Sequence, residues 1–504
     1  MGGDTKQSEG KSAGPAPGRP LPASGPYRSP AQRIARVVFW AGISLPVLLL
    51  LVLPGTVLWS FMDDYRGGRE LEAALAEAKR EGVPTESTDP YFQDWGSEGW
   101  GKENGAVYYQ QVFSALPASR ADRRRQQLPI VGTGARPRTP AEALPEDVLT
   151  LMRAYNADYS EMFDLLHKGA GAAFARHPIQ WDGANTLMPH LTYSRESARR
   201  LVLKMWVDAE DAPASEATQD AIDALAIARP LVEEPAIVSS LVASAIQTIV
   251  ARDGVERVLA RSSPSNDDLA RLQKAFSAAT ESLNARTALR GEVAMQRDLF
   301  ARVAKGEDLS WFAGGQPEDK SASAEFERRL RRWMSRGQAK RGEARIIRLL
   351  LALSKESENP SPDVLSKKRV DADVATLEEA YRSLAYTQDR SGVDIAKIIV
   401  TTEKTRARLR SAAACIAAMR YKNDSGKWPE SLGALVPKYL DVVPIDAFTG
   451  RPLVYKFADG GVMVYSVGQN LADDEGKPFL TVKPDGMSDE EWNAFDDSGF
   501  RIWR

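Results

Sequence analysis

Cysteine and histidine are almost missing from this 504-residue chain, which holds one of the first and three of the second. Cys415 stands alone, so an intramolecular disulfide framework and a cysteine-based zinc cluster are both excluded, and a lone thiol reads as a buried side chain. His167, His177 and His190 offer no pair at helical metal-ligand spacing, so no histidine metal centre is expected. HExxH, GxSxG, the GxxxxGK[ST] phosphate loop and a GxGxxG behind a strand are also absent. With them go the commonest signatures of metalloprotease, serine hydrolase and nucleotide chemistry. Nor is there a net field: 66 Lys+Arg against 68 Asp+Glu leave a formal charge of -2, which removes nucleic acid as the expected partner.

The strongest positive signal is a gap in the charge. Between Arg36 and Asp63 the chain reads VVFWAGISLPVLLLLVLPGTVLWSFM without one charged residue. About 20 apolar residues suffice to cross a bilayer core. On a helix Trp40 and Trp59 would stand roughly 28 Å apart, near the two interfaces. Pro46 and Pro54 are tolerated in membrane helices as kinks. The run exceeds a signal h-region and ends without a small-x-small site, so an uncleaved anchor is expected. Lys6, Lys11, Arg19, Arg28, Arg33 and Arg36 precede it, while Asp63, Asp64, Arg66, Arg69 and Glu70 follow. Basic residues stay on the cytoplasmic side, so the sequence implies a single-pass protein of a bacterial inner (cytoplasmic) membrane, its C-terminal part periplasmic.

The expected fold class is mainly α. Residues 1–36, rich in Gly, Pro and Ser, form a disordered cytoplasmic tail, 37–62 the transmembrane helix and 63–84 a juxtamembrane helix stopped by Gly82-Val83-Pro84. Residues 85–390 form an extracytoplasmic α-helical array or bundle, and 391–504 a small α+β module with an antiparallel β-hairpin. Thr139-Pro140-Ala141-Glu142, Ser215 with Thr218 and Gln219, and Pro264-Ser265-Asn266-Asp267-Asp268 read as helix starts. No fixed internal period supports a named helical repeat. Ala236 to Ala251 carries no charge but is short and holds Ser239, Ser240, Ser244 and Gln247, which favours a buried soluble helix over a second span. The basic stretch Arg328 to Arg348, with Trp333 inside it, is expected to be a solvated face paired with Glu325, Glu327 and Glu343, ahead of a headgroup or nucleic-acid patch. Catalysis is conceivable only from dispersed residues: His190 as a base for Ser194, or His190 with Asp182 and Trp181. A capped core histidine accounts for His190 more simply.

Around residue 390 the pattern changes. A long helix from about Val393 to Lys422 ends in Asn423-Asp424-Ser425-Gly426, with the glycine suited to a left-handed cap. Trp428-Pro429-Glu430-Ser431-Leu432 reads as a short helix opened by proline. The turn Val443-Pro444-Ile445-Asp446-Ala447-Phe448-Thr449-Gly450 follows. Two alternating runs, Leu453 to Phe457 and Val462 to Val467, are joined by Ala458-Asp459-Gly460-Gly461, a hairpin signal.

In that order, RYKNDSGKWPESLGALVPKYLDVVPIDAFTGRPLVYKFADGGVMVYSVGQNLADDEG resembles the soluble part of the type II secretion pseudopilin G family, with its helix, Trp-Pro loop, Asp turn and Tyr-Ser-x-Gly strand end. The resemblance implies a pilin-like α+β fold and a calcium ion in the loop after the last hairpin strand. Asp473 and Asp474 would stand at the ligand positions, with Asp496 or Asp497 ahead of Phe500-Arg501-Ile502-Trp503, since this hard cation takes oxygen ligands. Pseudopilins carry a glutamate near the start of a membrane helix continuous with the pilin helix. Here residues 37–62 hold no Glu and the helical domain intervenes, so polymerisation through a shared helix is not implied. The whole layout also resembles large membrane-anchored proteins of planctomycete-type bacteria, on Glu103-Asn104-Gly105-Ala106-Val107-Tyr108-Tyr109 and Met188-Pro189-His190-Leu191, and that likeness implies no activity. The expected role is structural or interaction-based, with the bilayer and envelope proteins as partners. A periplasmic enzyme with a dispersed site and an accessory of a secretion or pilus-like machine are the alternatives.

Overall fold

A computed structural model describes residues 30–92, 104–307, 321–382, 391–458, 460–477, 487–488 and 494–503, and the side chains of all of these except 30–53 and 391–394. Most of the expected tail, Glu103, and the side chains of residues 37–53 of the expected span lie outside the described residues. Among the described residues no helix is long and apolar enough to cross a membrane.

The helices are α1 (Pro30–Arg80), α2 (Ala106–Ala121), α3 (Glu146–Asp158), α4 (Ser160–Gly171), α5 (Pro189–Asp211), α6 (Ala214–Ala226), α7 (Arg229–Glu233) and α8 (Ile237–Ile249). After a π-helical turn, Val250–Val255, come α9 (Glu256–Arg261), α10 (Asn266–Ser282), α11 (Ala285–Lys305), α12 (Ala322–Glu356), α13 (Pro362–Leu365), α14 (Lys367–Arg382) and α15 (Ser391–Ser425). The strands β1 (Val454–Ala458), β2 (Gly461–Ser466) and β3 (Ser498–Arg501) close the chain. It is a mainly helical protein with one small antiparallel sheet.

Two compact units divide the chain, Met1–Phe61 and Met62–Arg504. In the first, the described side chains of α1 at Val57, Leu58, Trp59 and Phe61 are exposed. In the second, α1 ends where Gly82 takes a φ of +63°, a left-handed stop that glycine makes at no steric cost.

From Asp63 onward α1 runs alongside α12. A Cβ on Gly67 would lie 2.4 Å from the Gly337 carbonyl oxygen, so the backbones touch where neither residue has a side chain. Asp63 pairs with Arg341 and Asp64 with Lys340, each at 2.8 Å, and Glu81 pairs with Lys355 at 2.7 Å. Partners advance together along both helices, which are therefore parallel. Gly337→Leu is expected to force them apart, since its Cβ alone would sit 2.3 Å from Asp63 Oδ2. Hydrogen exchange of Leu71–Arg80 amides should speed up at least tenfold in that variant, whereas Gly55→Leu, which meets open space, should leave it unchanged.

Two apolar cores share one spine. The first joins α2 through α10 to the C-terminal half of α15 and to Val462, Val464, Phe500 and Ile502 of the sheet region. The second joins Ala74 and Ala78 of α1 to α11, α12, α14 and the Ile395–Val400 part of α15. Ala412 to Met419 are buried on every side of α15, which is why this helix has no polar face there. The helical region and the C-terminal α+β region consequently meet in one continuous core across residue 390.

Expected local features take specific forms. The hairpin pairs Val454 with Tyr465 and Ala458 with Gly461, leaving a two-residue turn in which Gly460 has a φ of +78°. β3 completes the sheet in the order β1-β2-β3, pairing Val464 with Phe500. Its Ser-Gly-Phe-Arg sequence carries little strand propensity, so only pairing against β2 makes it a strand. The Trp428–Leu432 segment is not a helix opened by Pro429. Its indole donates to the Gly460 carbonyl at 3.2 Å and faces the Lys422 ammonium, holding the segment extended until a 3-10 turn at Leu432–Leu435.

α8 is a buried soluble helix, and the residues it buries include polar ones beside Ile237, Ala243 and Ile246. Ser239, Ser240, Ser244 and Gln247 are all buried, while Val238 is half exposed. The basic stretch is one continuous helix. Glu325 pairs with Arg328 and Arg329, Glu327 with Arg331, and Glu379 with Arg345, while Glu343 approaches Arg297 instead.

Candidate functional site

Midway along α15, between the stretches that enter the two cores, the helix turns polar. Thr401, Lys404, Thr405 and Arg408 recur at three- and four-residue intervals and so share one face. That face opens into a cavity of about 650 Å³. The opposite wall is built by Arg195 and Arg199, one turn apart on α5, and by Ser244 and Thr248 of α8. Arg252 enters from the π-helical turn, an irregularity that places an extra residue in the helix and recurs at functional sites. The turn packs closely on α5, where a Cβ on Gly254 would lie 2.7 Å from Met205 Cε.

Five cations thus converge on one cavity with five hydroxyls and the carboxylates of Asp496 and Asp497. Lys404 pairs with Asp496. Arg408 donates to Thr248 Oγ1 at 3.1 Å. No carboxylate among the described residues comes within salt-bridge distance of Arg195, Arg199, Arg252 or Arg408. Burial pushes the Arg408 guanidinium down to about 10, and repulsion from Arg252 adds to this against attraction by Glu256 and Asp253. It stays charged at neutral pH. Beneath the cavity, burial pushes the Glu256 carboxyl up to about 8, although Trp503 Nε1 and the Arg501 amide donate to it. Asp496 and Asp497 line the same cavity, so its five cations are only partly compensated.

A second cavity, of about 570 Å³, shares Arg195 and Leu241 with the first. Met188, Leu191, Ile237, Val238 and Met295 make it apolar. Glu292 stands in its wall, raised above the ordinary carboxyl range by burial and accepting from Gln296 Nε2 at 2.7 Å.

The histidines occupy other surroundings. His190 Nε2 lies 2.9 and 3.1 Å from the two oxygens of Glu234, which also accepts from Ser239 Oγ at 2.5 Å. The carboxylate stands between hydroxyl and imidazole, so it accepts from both and relays nothing from serine to base. Ser194 Oγ is buried without a hydrogen-bond partner. Asp182 pairs with Arg302 at 3.1 Å and Trp181 packs on Phe92 at 5.0 Å, so neither makes a contact with His190. His167 lies 2.5 Å from Asp223 and 3.4 Å from Asp220.

Asp474, Asp496 and Asp497 are brought together, but their oxygens face backbone donors. Asp497 accepts from the amides of Asp474 and Gly476, Asp496 from those of Gln469 and Asn470, and Asp474 from that of Asp496. Asp473 turns aside to Lys456 Nζ at 2.8 Å and Tyr465 OH at 2.6 Å. Burial raises Asp497 to about 6, with its neighbours Asp474 and Asp473 adding to the rise. Among the described residues, no group of three or more His, Cys, Asp or Glu side chains is placed to hold a metal ion. The resemblance motifs meet through another bond: Asp446 accepts from Ser466 Oγ at 2.8 Å and from the Phe448 amide at 2.9 Å, locking the Asp turn to the strand end.

Sequence reasoning passed over the cationic cavity. Its one legible trace was Thr-x-x-Lys-Thr-x-x-Arg from Thr401 to Arg408, at helical spacing inside an otherwise buried helix. The other walls come from segments far apart in the chain. Comparison with protein-family models, with curated proteins and with solved structures finds no match for this chain.

Proposed function

We propose that the protein is a single-pass envelope protein whose α5–α8–α15 cavity binds a small oxyanion-bearing ligand, a phosphate or carboxylate compound. The observation that carries this reading is the convergence of four arginines, none in a salt bridge among the described residues, on one cavity. Guanidinium forks match phosphate and carboxylate geometry, and threonine and serine hydroxyls beside them supply further donors. Burial lowers Arg408 most, and repulsion from Arg252 adds to it, which a bound anion would relieve. No nucleophile paired to a base lines the cavity, so the reading is binding. Anchoring at the inner membrane, N-terminus inside and residues 63–504 in the periplasm, is supported by the uncharged run 37–62, its basic flank and the exposed apolar side chains from Val57 to Met62. The helix-then-antiparallel-sheet order of residues 391–504, with the Asp446–Ser466 bond, supports the pseudopilin-like reading of that region.

Titration calorimetry of the full chain in detergent with inorganic phosphate and with citrate tests the site. At least one probe should bind, more weakly as salt rises, and Arg408→Ala should lower its affinity about 10- to 100-fold, the worth of a charge-assisted hydrogen bond. Arg199→Ala, nearer solvent, guards against a folding defect and should cost about tenfold. Wild-type affinity in both variants would sink the reading.

A further inference from the structure

The N-terminal half of α12 leaves one apolar stripe uncovered. Phe326, Leu330 and Met334 follow one another at four-residue intervals and are 69%, 44% and 43% exposed. Arg329, Arg331 and Arg336 flank them in solvent. Ala322 to Arg336 holds five arginines against two glutamates. At 100° per residue, Gly337 falls between Phe326 and Leu330 around the helix. The stripe therefore continues the face on which Gly67 and Asp63 of α1 lie against Gly337. Because α1 and α12 run parallel from Asp63 onward, the first turns of α12 lie at the end of this unit that begins with Met62, the last residue of the uncharged run.

We propose that this half of α12 is an interfacial helix, which lays Phe326, Leu330 and Met334 into the headgroup boundary of an anionic bilayer while its arginines take lipid phosphates. The inference rests on the anchor reading above. An apolar stripe edged by arginines is the pattern of helices that lie in a membrane surface, and basic residues just outside a span are drawn to anionic lipid. The ion pairs of Arg329 and Arg331 with Glu325 and Glu327 are exposed, and such pairs hold weakly enough to exchange for phosphate. A second copy of the chain fits the stripe poorly. It is only about 12 Å long, too small for a stable dimer patch, and pairing it with itself would oppose five arginines to five.

Cys415 is fully buried, so one new cysteine can be labelled selectively in the full chain. A fluorophore on Leu330→Cys, in phosphatidylcholine vesicles with and without phosphatidylglycerol, is read against headgroup-depth quencher lipids. The same label on Leu58→Cys reports the anchor. The proposal expects quenching at position 330 at least threefold stronger in phosphatidylglycerol vesicles and abolished by Arg329→Glu with Arg331→Glu and Arg336→Glu, while position 58 is quenched in both. Quenching at 58 but not at 330 overturns the interfacial helix and leaves the anchor standing. No quenching at either position overturns the anchor reading, and the proposal with it. Shielding of the 330 label from iodide in detergent alone would mean that protein covers the stripe, whether residues 308–320 or a second copy, and would equally overturn the proposal.

Discussion

Arg257→Ala is expected to lower the stability of the Met62–Arg504 unit by about 3–5 kcal/mol, the combined cost of two stranded carbonyl acceptors and a cavity against an aromatic ring. Arg257 is 1% exposed and holds three parts of the fold together. Its guanidinium donates to the Glu142 carbonyl at 3.0 Å, to the Pro140 carbonyl at 3.3 Å and to Glu210 Oε1 at 3.0 Å, and it stacks over Trp206 at 4.6 Å. Burial pushes its pKa down to about 10, partly offset by Glu210, so the side chain is charged and costly to strand or to replace. Alanine would leave the Pro140 and Glu142 carbonyls without this donor and a cavity beside Trp206, while Glu210 keeps both bonds from Arg261. Arg257→Met fills the space and should recover part of the loss, because packing is restored while the carbonyls stay unpaired. Urea melts of both variants measure this. Equal stability of Arg257→Ala and wild type would show that the staple carries no weight.

The second expectation concerns acid. His177 is 1% exposed, ringed by His190 at 4.7 Å, Phe113 at 5.7 Å and Tyr109 at 6.2 Å, and neither of its nitrogens has a hydrogen-bond partner in the structure. Burial, aided by His190, pushes it down to about 3, so the folded protein keeps it neutral where an unfolded chain would protonate. The unfolded state therefore binds the extra proton below about pH 6.5, and stability is full above that value and lost progressively as pH falls toward 3. The loss should reach about 2–3 kcal/mol by pH 4.5. Glu256, raised to about 8, and Glu343, raised to about 7, act in the opposite sense, costing stability as pH rises through their folded values. His177→Phe isolates the histidine, since phenylalanine suits the aromatic slot and cannot titrate. Its stability relative to wild type should grow between pH 7.5 and 4.5 in denaturant melts. Parallel pH profiles for the two proteins would refute the assignment.

Periodicity, caps and turn chemistry made much of the architecture readable. Gly82 and Gly426 both adopt the left-handed conformation that ends a helix. Gly460 stands at the hairpin turn, and the uncharged α8 is a helix of the core, as its serines implied. Each of these rests on interactions within a few residues, which one sequence displays. The face that α8 buries was not readable in the same way. Its serines are buried together with Ala243 and Ile246 while Val238 and Leu241 reach a cavity wall, a choice made by neighbours distant in sequence.

The cationic cavity marks the same boundary. Thr401, Lys404, Thr405 and Arg408 announce a shared face through helical spacing, but nothing local says that Arg195, Arg199 and Arg252 come to meet them. His190, Asp182 and Trp181 showed the converse: three residues suited to one site on chemical grounds went to Glu234, Arg302 and Phe92. Residue order alone settled most of the helical segments and that an uncharged stretch of membrane-spanning length stands before Asp63, because these follow from backbone preference and hydrophobic patterning at short range. It misplaced the start of α3, which begins at Glu146 and not at Thr139, and the Trp428–Leu432 helix. Tertiary packing decided which side chains share a cavity, that β3 is a strand, and that one helix serves two cores, because those depend on pairing and burial against partners that are not local in the chain.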